Sequence, residues 1–117
     1  SKTNEWMNKG IDMVGEKVTL YRIENNGDLF ILRAYLNGSA LRLEGQDFSE
    51  LAKKWYGDEE YEYYFSFDIK NTEKLKKIFN TDDILKALII FFNNEMVNDK
   101  FEQLCKDNNI TYEVIVI

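Results

Sequence analysis

The sequence contains no histidine. Histidine is the one side chain whose ordinary pKa lies near neutral pH, and it is the commonest general base and the commonest nitrogen ligand for metals. Every catalytic triad that needs an imidazole is therefore excluded. The lone cysteine, Cys105, allows no internal disulfide, and one thiol without any imidazole cannot supply the three or four ligands of a zinc site. Cys105 follows Phe101 and Leu104 at helical spacing, which reads as a small buried hydrophobe rather than a nucleophile. Proline is absent too, and no low-complexity tract or internal repeat divides the 117 residues, so one domain over 1–117 is expected. No run of about 18 apolar residues is present to span a bilayer. The polar start SKTNEWMNKG lacks the apolar segment of a secretory signal, and the expected location is the cytoplasm.

Glycine is sparse and does not form a phosphate cradle. Gly10 and Gly15 in KGIDMVGEK match neither GxGxxG nor GxxxxGK and precede a strand pattern rather than a helix. No cofactor is expected. Basic residues are scattered (Lys53-Lys54, Lys74, Lys76-Lys77) and outnumbered, 15 against 21 acids, for a net charge of -6. That balance disfavours attraction to nucleic-acid phosphate or to an anionic membrane and favours a basic partner.

Apolar and aromatic residues, in contrast, are ample at 44% and 15%, enough for a folded core. Their periodicity predicts an α+β fold on a mixed, mainly antiparallel five-stranded sheet. VTLYRI (18–23) alternates, Asn26-Gly27 signals a hairpin, and LFILRAYL (29–36) returns with apolar residues on both faces, which points to the central strand. ALRLEG (40–45) completes a meander. Asp47 or Ser49 then caps a short helix through Tyr56, with Trp55 at helical spacing. EYEYYFSFD (60–68) sets Tyr61, Tyr63, Phe65 and Phe67 on one face against Glu60, Glu62, Tyr64 and Ser66 on the other. Three helices follow. Asn71 or Thr72 opens the first, with Leu75, Ile78 and Phe79 inward; Thr81-Asp82-Asp83 opens the second, with Ile84, Leu85, Leu88, Ile89 and Phe92 as its stripe. The third spans about 98–108, and TYEVIVI (111–117) closes the chain as a fifth strand.

With imidazole, paired thiols and a phosphate loop all missing, the chemistry left is that of carboxylates. Asp82-Asp83 reads as first-turn capping. The run Asp58, Glu59, Glu60 and Glu62 reads either as a turn leading into a solvated strand face or as part of a site, and its spacing matches no hydrolase motif.

The segments LRLEGQDF and YGDEEYEYYFSFD, the helix pair after them and the ending DNNITYEVIVI together resemble a bacterial family of small α+β proteins. The positions that carry the resemblance are Leu41, Glu44, Gly45, Gln46, Asp47, Gly57, Asp58, Glu60, Tyr61, Glu62, Tyr63, Asn109, Ile110 and Tyr112, spread over the last two thirds of the chain. Proteins of this type are similar to immunity proteins, which neutralise a cognate toxin passed between competing bacteria, as in contact-dependent growth inhibition. The resemblance implies a non-enzymatic cytoplasmic inhibitor whose partner is a protein toxin, commonly a nuclease with a basic channel. Acids beside aromatics are the anchors to expect against such a surface. They are Asp58, Glu59, Glu60, Glu62 and Tyr64, with Asp47 and Trp55 as neighbours; the competing reading places Trp55 and Tyr64 in the core. Two further alternatives stand: a metal-dependent enzyme using Asp58, Glu60 and Glu62, and a homo-oligomeric adaptor that pairs through the YEVIVI strand if that strand lies at a sheet edge.

Overall fold

A computed structural model describes residues 14–57 and 60–117. Within them β1 (Val18–Asn25), β2 (Asp28–Asn37), β3 (Ala40–Phe48), β4 (Glu60–Ser66) and β5 (Glu113–Val116) form one sheet whose spatial order is the chain order. Every pairing is antiparallel. Helix α1 (Glu50–Tyr56) joins β3 to β4, and α2 (Ile69–Phe79), α3 (Ile84–Phe92) and α4 (Asn98–Asp107) lie between β4 and β5. The chain thus has the expected α+β architecture. No helix among the described residues is long and apolar enough to cross a membrane.

The first hairpin turns at Asn26 and Gly27, both at positive φ (52° and 87°), the combination that a tight two-residue turn demands. Because the strands follow one another in order, β3 occupies the centre and β2 lies second, not central as its two apolar faces suggest. It is nonetheless interior: Leu32 and Ala34 are buried on one face, Ile31 and Tyr35 on the other. In β1 the pairing shifts between Thr19 and Tyr21, and this bulge lets the consecutive residues Leu20 and Tyr21 both be buried.

The core lies between one sheet face and the helices. Tyr21, Leu32, Ala34, Leu41, Leu43 and Phe65 meet Leu75, Ile84, Leu88, Phe92, Phe101, Cys105 and Ile110. Aromatic rings carry much of this contact: Phe92 and Phe101 stand 5.5 Å apart, and Phe67 lies 4.8 Å from Tyr112. The helical stripes are narrower than their apolar residues suggest, since Ile78 and Ile89 are exposed and Leu75, Ile84, Leu88 and Phe92 do the burying.

Helix α2 starts earlier than Asn71 or Thr72 would have it. Asp68 is the N-cap, accepting from the Asn71 backbone N–H at 2.8 Å. Asn71 and Thr72 are instead buried inside the helix, where they tie it to the segment leading into β5 and to β3. Thr72 Oγ1 accepts from the Leu41 N–H (2.9 Å) and donates to the Asp68 carbonyl (2.8 Å), while Asn71 Oδ1 accepts from the Thr111 N–H (3.0 Å). Asp83 caps α3 through the Lys86 N–H as its position in Thr81-Asp82-Asp83 suggests, and Asn93, at φ 48°, ends it.

Candidate functional site

The pleat of β4 sends Glu60, Glu62, Tyr64 and Ser66 to the sheet face opposite the helices. On β3 the same face receives Arg42, Glu44 and Gln46, which pair with Ser66, Tyr64 and Glu62 respectively. On β2 it receives Arg33, opposite Glu44, and Tyr35, opposite Arg42. The result is a patch of alternating charge and aromatic rings across three strands.

Gln46 organises this patch. Its Nε2 donates to Glu60 Oε2 and to Glu62 Oε2, both at 3.2 Å, so two carboxylates converge on one neutral amide. Its Oε1 accepts from Arg33 Nη1 at 3.2 Å, which fixes the amide's orientation. Next to it, Lys17 reaches over Tyr35 (5.2 Å to the ring centroid) and pairs with the buried Glu44 at 2.7 Å. The hydrogen bond that the Lys17 ammonium donates to the Glu44 carboxylate raises its pKa above the usual value, against an opposing effect of burial. The Arg42 guanidinium lies 5.4 Å over the ring of Tyr64. The Tyr64 phenol is raised by burial first and then by the charges of Glu44 and Glu62.

Three of the expected anchors, Glu60, Glu62 and Tyr64, therefore share one face. Asp58 and Glu59, which precede them, lie outside the described residues. Asp47 is on the other side of the sheet. Strand β3 runs on to Phe48 rather than stopping at Gly45, so Asp47 continues the alternation of Leu41, Leu43 and Gly45 and sits opposite Tyr61. There it is half-buried, and loss of solvent raises its carboxyl above the ordinary range. It is not the cap of α1; Asp28 holds that end by accepting from the Glu50 N–H at 3.3 Å. Trp55 is 70% exposed on α1, not part of the core, and α1 lies against β4. Tyr64 is half-buried.

The residues of the patch that the sequence did not mark as anchors are Arg33, Arg42, Tyr35, Lys17 and Gln46, the last of which entered only as a position of the family resemblance. The signal for Arg42, Glu44 and Gln46 was present as polar residues at every second position of β3; Arg33 and Tyr35 were masked by the apolar run around them. Among the described residues no group of three His, Cys, Asp or Glu side chains comes together to hold a metal ion. Cys105 is buried, and burial pushes its thiol up to about 12, which leaves almost none of it ionised at neutral pH.

What the arrangement can do is bind. Two acids held side by side and a tyrosine under a guanidinium offer a cationic partner charge-assisted hydrogen bonds and aromatic contact area. Compared with family models, curated proteins and solved structures, the chain has no significant match in any of the three.

Proposed function

We propose that this chain is a cytoplasmic immunity-type inhibitor that binds a cognate bacterial toxin, a nuclease with a basic channel, through the acidic and aromatic face of β4. The observation that carries the reading is the convergence of Glu60 and Glu62 on the Gln46 amide at 3.2 Å each. Two carboxylates at the same neutral donor keep their negative charge in place before any partner arrives, so little ordering is left to be done on binding. The sequence adds Asp58 and Glu59 directly before them. With a net charge of -6, the whole molecule attracts a basic surface at long range, and encounter is fast and salt-dependent. Tyr64 and the exposed Trp55 are then the aromatic anchors. Inhibition of this kind needs no turnover, no cofactor, no metal and no direct contact with nucleic acid or membrane.

The test is co-expression with the toxin encoded beside it, followed by affinity measurement on the purified pair. The expected result is protection of the cell and a complex whose association slows as salt rises. Glu60→Lys/Glu62→Lys, checked for an unchanged circular dichroism spectrum, should weaken binding by at least about tenfold. Failure of the chain to protect, or equal binding by the charge-reversed variant, sinks the reading.

A further inference from the structure

The two edges of the sheet are treated differently. At the β1 edge the turn after α3 folds back onto the strand: Asn94 donates its N–H to the Leu20 carbonyl (3.1 Å), and Asn94 Oδ1 accepts from the Arg22 N–H (2.8 Å). That edge also carries the Arg22–Glu24 ion pair. Covering and charge are the usual devices that keep a sheet edge from pairing with another chain. At the β5 edge no backbone hydrogen bond from outside the sheet reaches the strand among the described residues, and beyond Glu113, its one charged residue, the strand is apolar on both faces. Val114 is 59% exposed, Val116 52% and Ile117 72%, with Ile115 exposed on the opposite face from the two valines.

The hydrogen-bonding phase of β5 says which groups are unpaired. Ile117 donates its N–H to the Glu62 carbonyl at 3.1 Å, so Ile117 and, two and four residues back, Ile115 and Glu113 direct their backbone groups at β4. Val114 and Val116 direct theirs outward. A strand with two outward residues flanking one inward residue is complementary to itself. We propose that β5 pairs antiparallel with β5 of a second copy about a two-fold axis at Ile115, joining the two sheets into one.

In that register Val114 and Val116 exchange backbone hydrogen bonds with Val116 and Val114 of the second copy. Ile115 faces Ile115, and Glu113 faces Ile117, so the two glutamates stand apart and no like charges meet. The valines of both copies meet on the helical face and the isoleucines on the other. Because the axis is perpendicular to the sheet, both copies present Glu60, Glu62 and Tyr64 on the same side. So short a strand buries less than the roughly 1,200 Å² at which standard stable interfaces begin, which makes the pairing a weak, concentration-dependent one. Each copy carries a charge of -6, so salt strengthens this association by screening repulsion, opposite to its effect on capture of a basic partner.

Sedimentation equilibrium over roughly 10 μM to 1 mM should give an average mass that climbs from monomer towards dimer, and climbs further in added salt. Val116→Pro, which removes an outward N–H without touching the bonds to β4, and Val114→Lys, which leaves the backbone intact, should each hold the protein monomeric. Ile115→Cys gives the direct readout. Residues facing across such a non-hydrogen-bonded pair stand about 4.5 Å apart at Cα, within disulfide range. On mild oxidation it should link two copies, whereas Ile117→Cys, which faces Glu113, should link far more slowly; the buried Cys105 does not compete. A monomer throughout the concentration range, or equal cross-linking at the two positions, overturns the proposal.

Discussion

The ring of Tyr63 lies directly against the backbone of Gly45, its partner across the β3–β4 pair, in the space that a Cβ at position 45 would occupy. Gly45 is there because a ring needs the room. Tyr63 in turn is half-buried beside Tyr21 and Asp47, and burial first, then those two neighbours, raise its phenol well above the ordinary range. The face behind the candidate docking surface is thus set by one missing side chain.

Gly45→Ala should therefore displace the Tyr63 ring and cost about 1–3 kcal/mol, the usual penalty for overpacking. Urea midpoints of Gly45→Ala, Tyr63→Val and the double variant check it. The two effects should couple, with the second substitution costing less in the presence of the first.

Thr72→Val keeps the volume at position 72 but leaves the Leu41 N–H without its acceptor in a buried setting. A loss of about 1–3 kcal/mol in unfolding free energy is expected. Thr72→Ser, which retains the acceptor oxygen, should recover part of it.

Asp47 and Asp68 act in opposite senses with pH. Loss of solvent raises the Asp47 carboxyl, so its ionised form disfavours the fold, and its contribution worsens as pH rises from the unfolded value through the folded one. Asp47→Asn should raise the melting temperature at pH 7, and the gain should vanish at a pH below the ordinary value of 3.8. Asp68 is lowered, first by the backbone N–H of Asn71, so its capping contribution is full above the ordinary value and fades as pH falls through the folded one. Asp68→Asn should lower the melting temperature at pH 7 and have progressively less effect in acid.

Trp55→Ala should leave the unfolding free energy within about 0.5 kcal/mol, because the side chain is exposed. In the complex with a toxin it should cost about 2 kcal/mol, roughly 30-fold in affinity, if the ring is an anchor. A large loss of stability would show that Trp55 packs inward after all.

Cys105 should resist iodoacetamide in the native protein at pH 8 and react readily in urea, since burial and the neighbouring Glu102 charge raise the thiol to about 12. Mass spectrometry of the alkylated chain reads this directly.

Alternation and turn chemistry made much of the fold legible. The period of two in EYEYYFS settled which residues of β4 share a face, because a pleated strand leaves no other choice. Asn26-Gly27 settled the first hairpin, since few residues accept positive φ twice in succession. Asp47 was legible only in part: its face depends on β3 continuing three residues past Gly45, and the pairing with Tyr61 and Glu60 on β4 decides that. The roles of Asn71 and Thr72 were out of reach for the same reason, as a polar residue early in a helix reads as a cap until the strand it serves is known.

By itself the sequence determined the element types, the two faces of β4 and the lack of imidazole chemistry, all consequences of local geometry and side-chain identity. Tertiary structure alone decided that Gln46 gathers Glu60 and Glu62, that β3 and not β2 is central, and that among the described residues the β1 edge is covered while the β5 edge is not. Those outcomes depend on which strands become neighbours and in what register, and contacts between residues distant along the chain are set by packing the whole rather than by any local pattern.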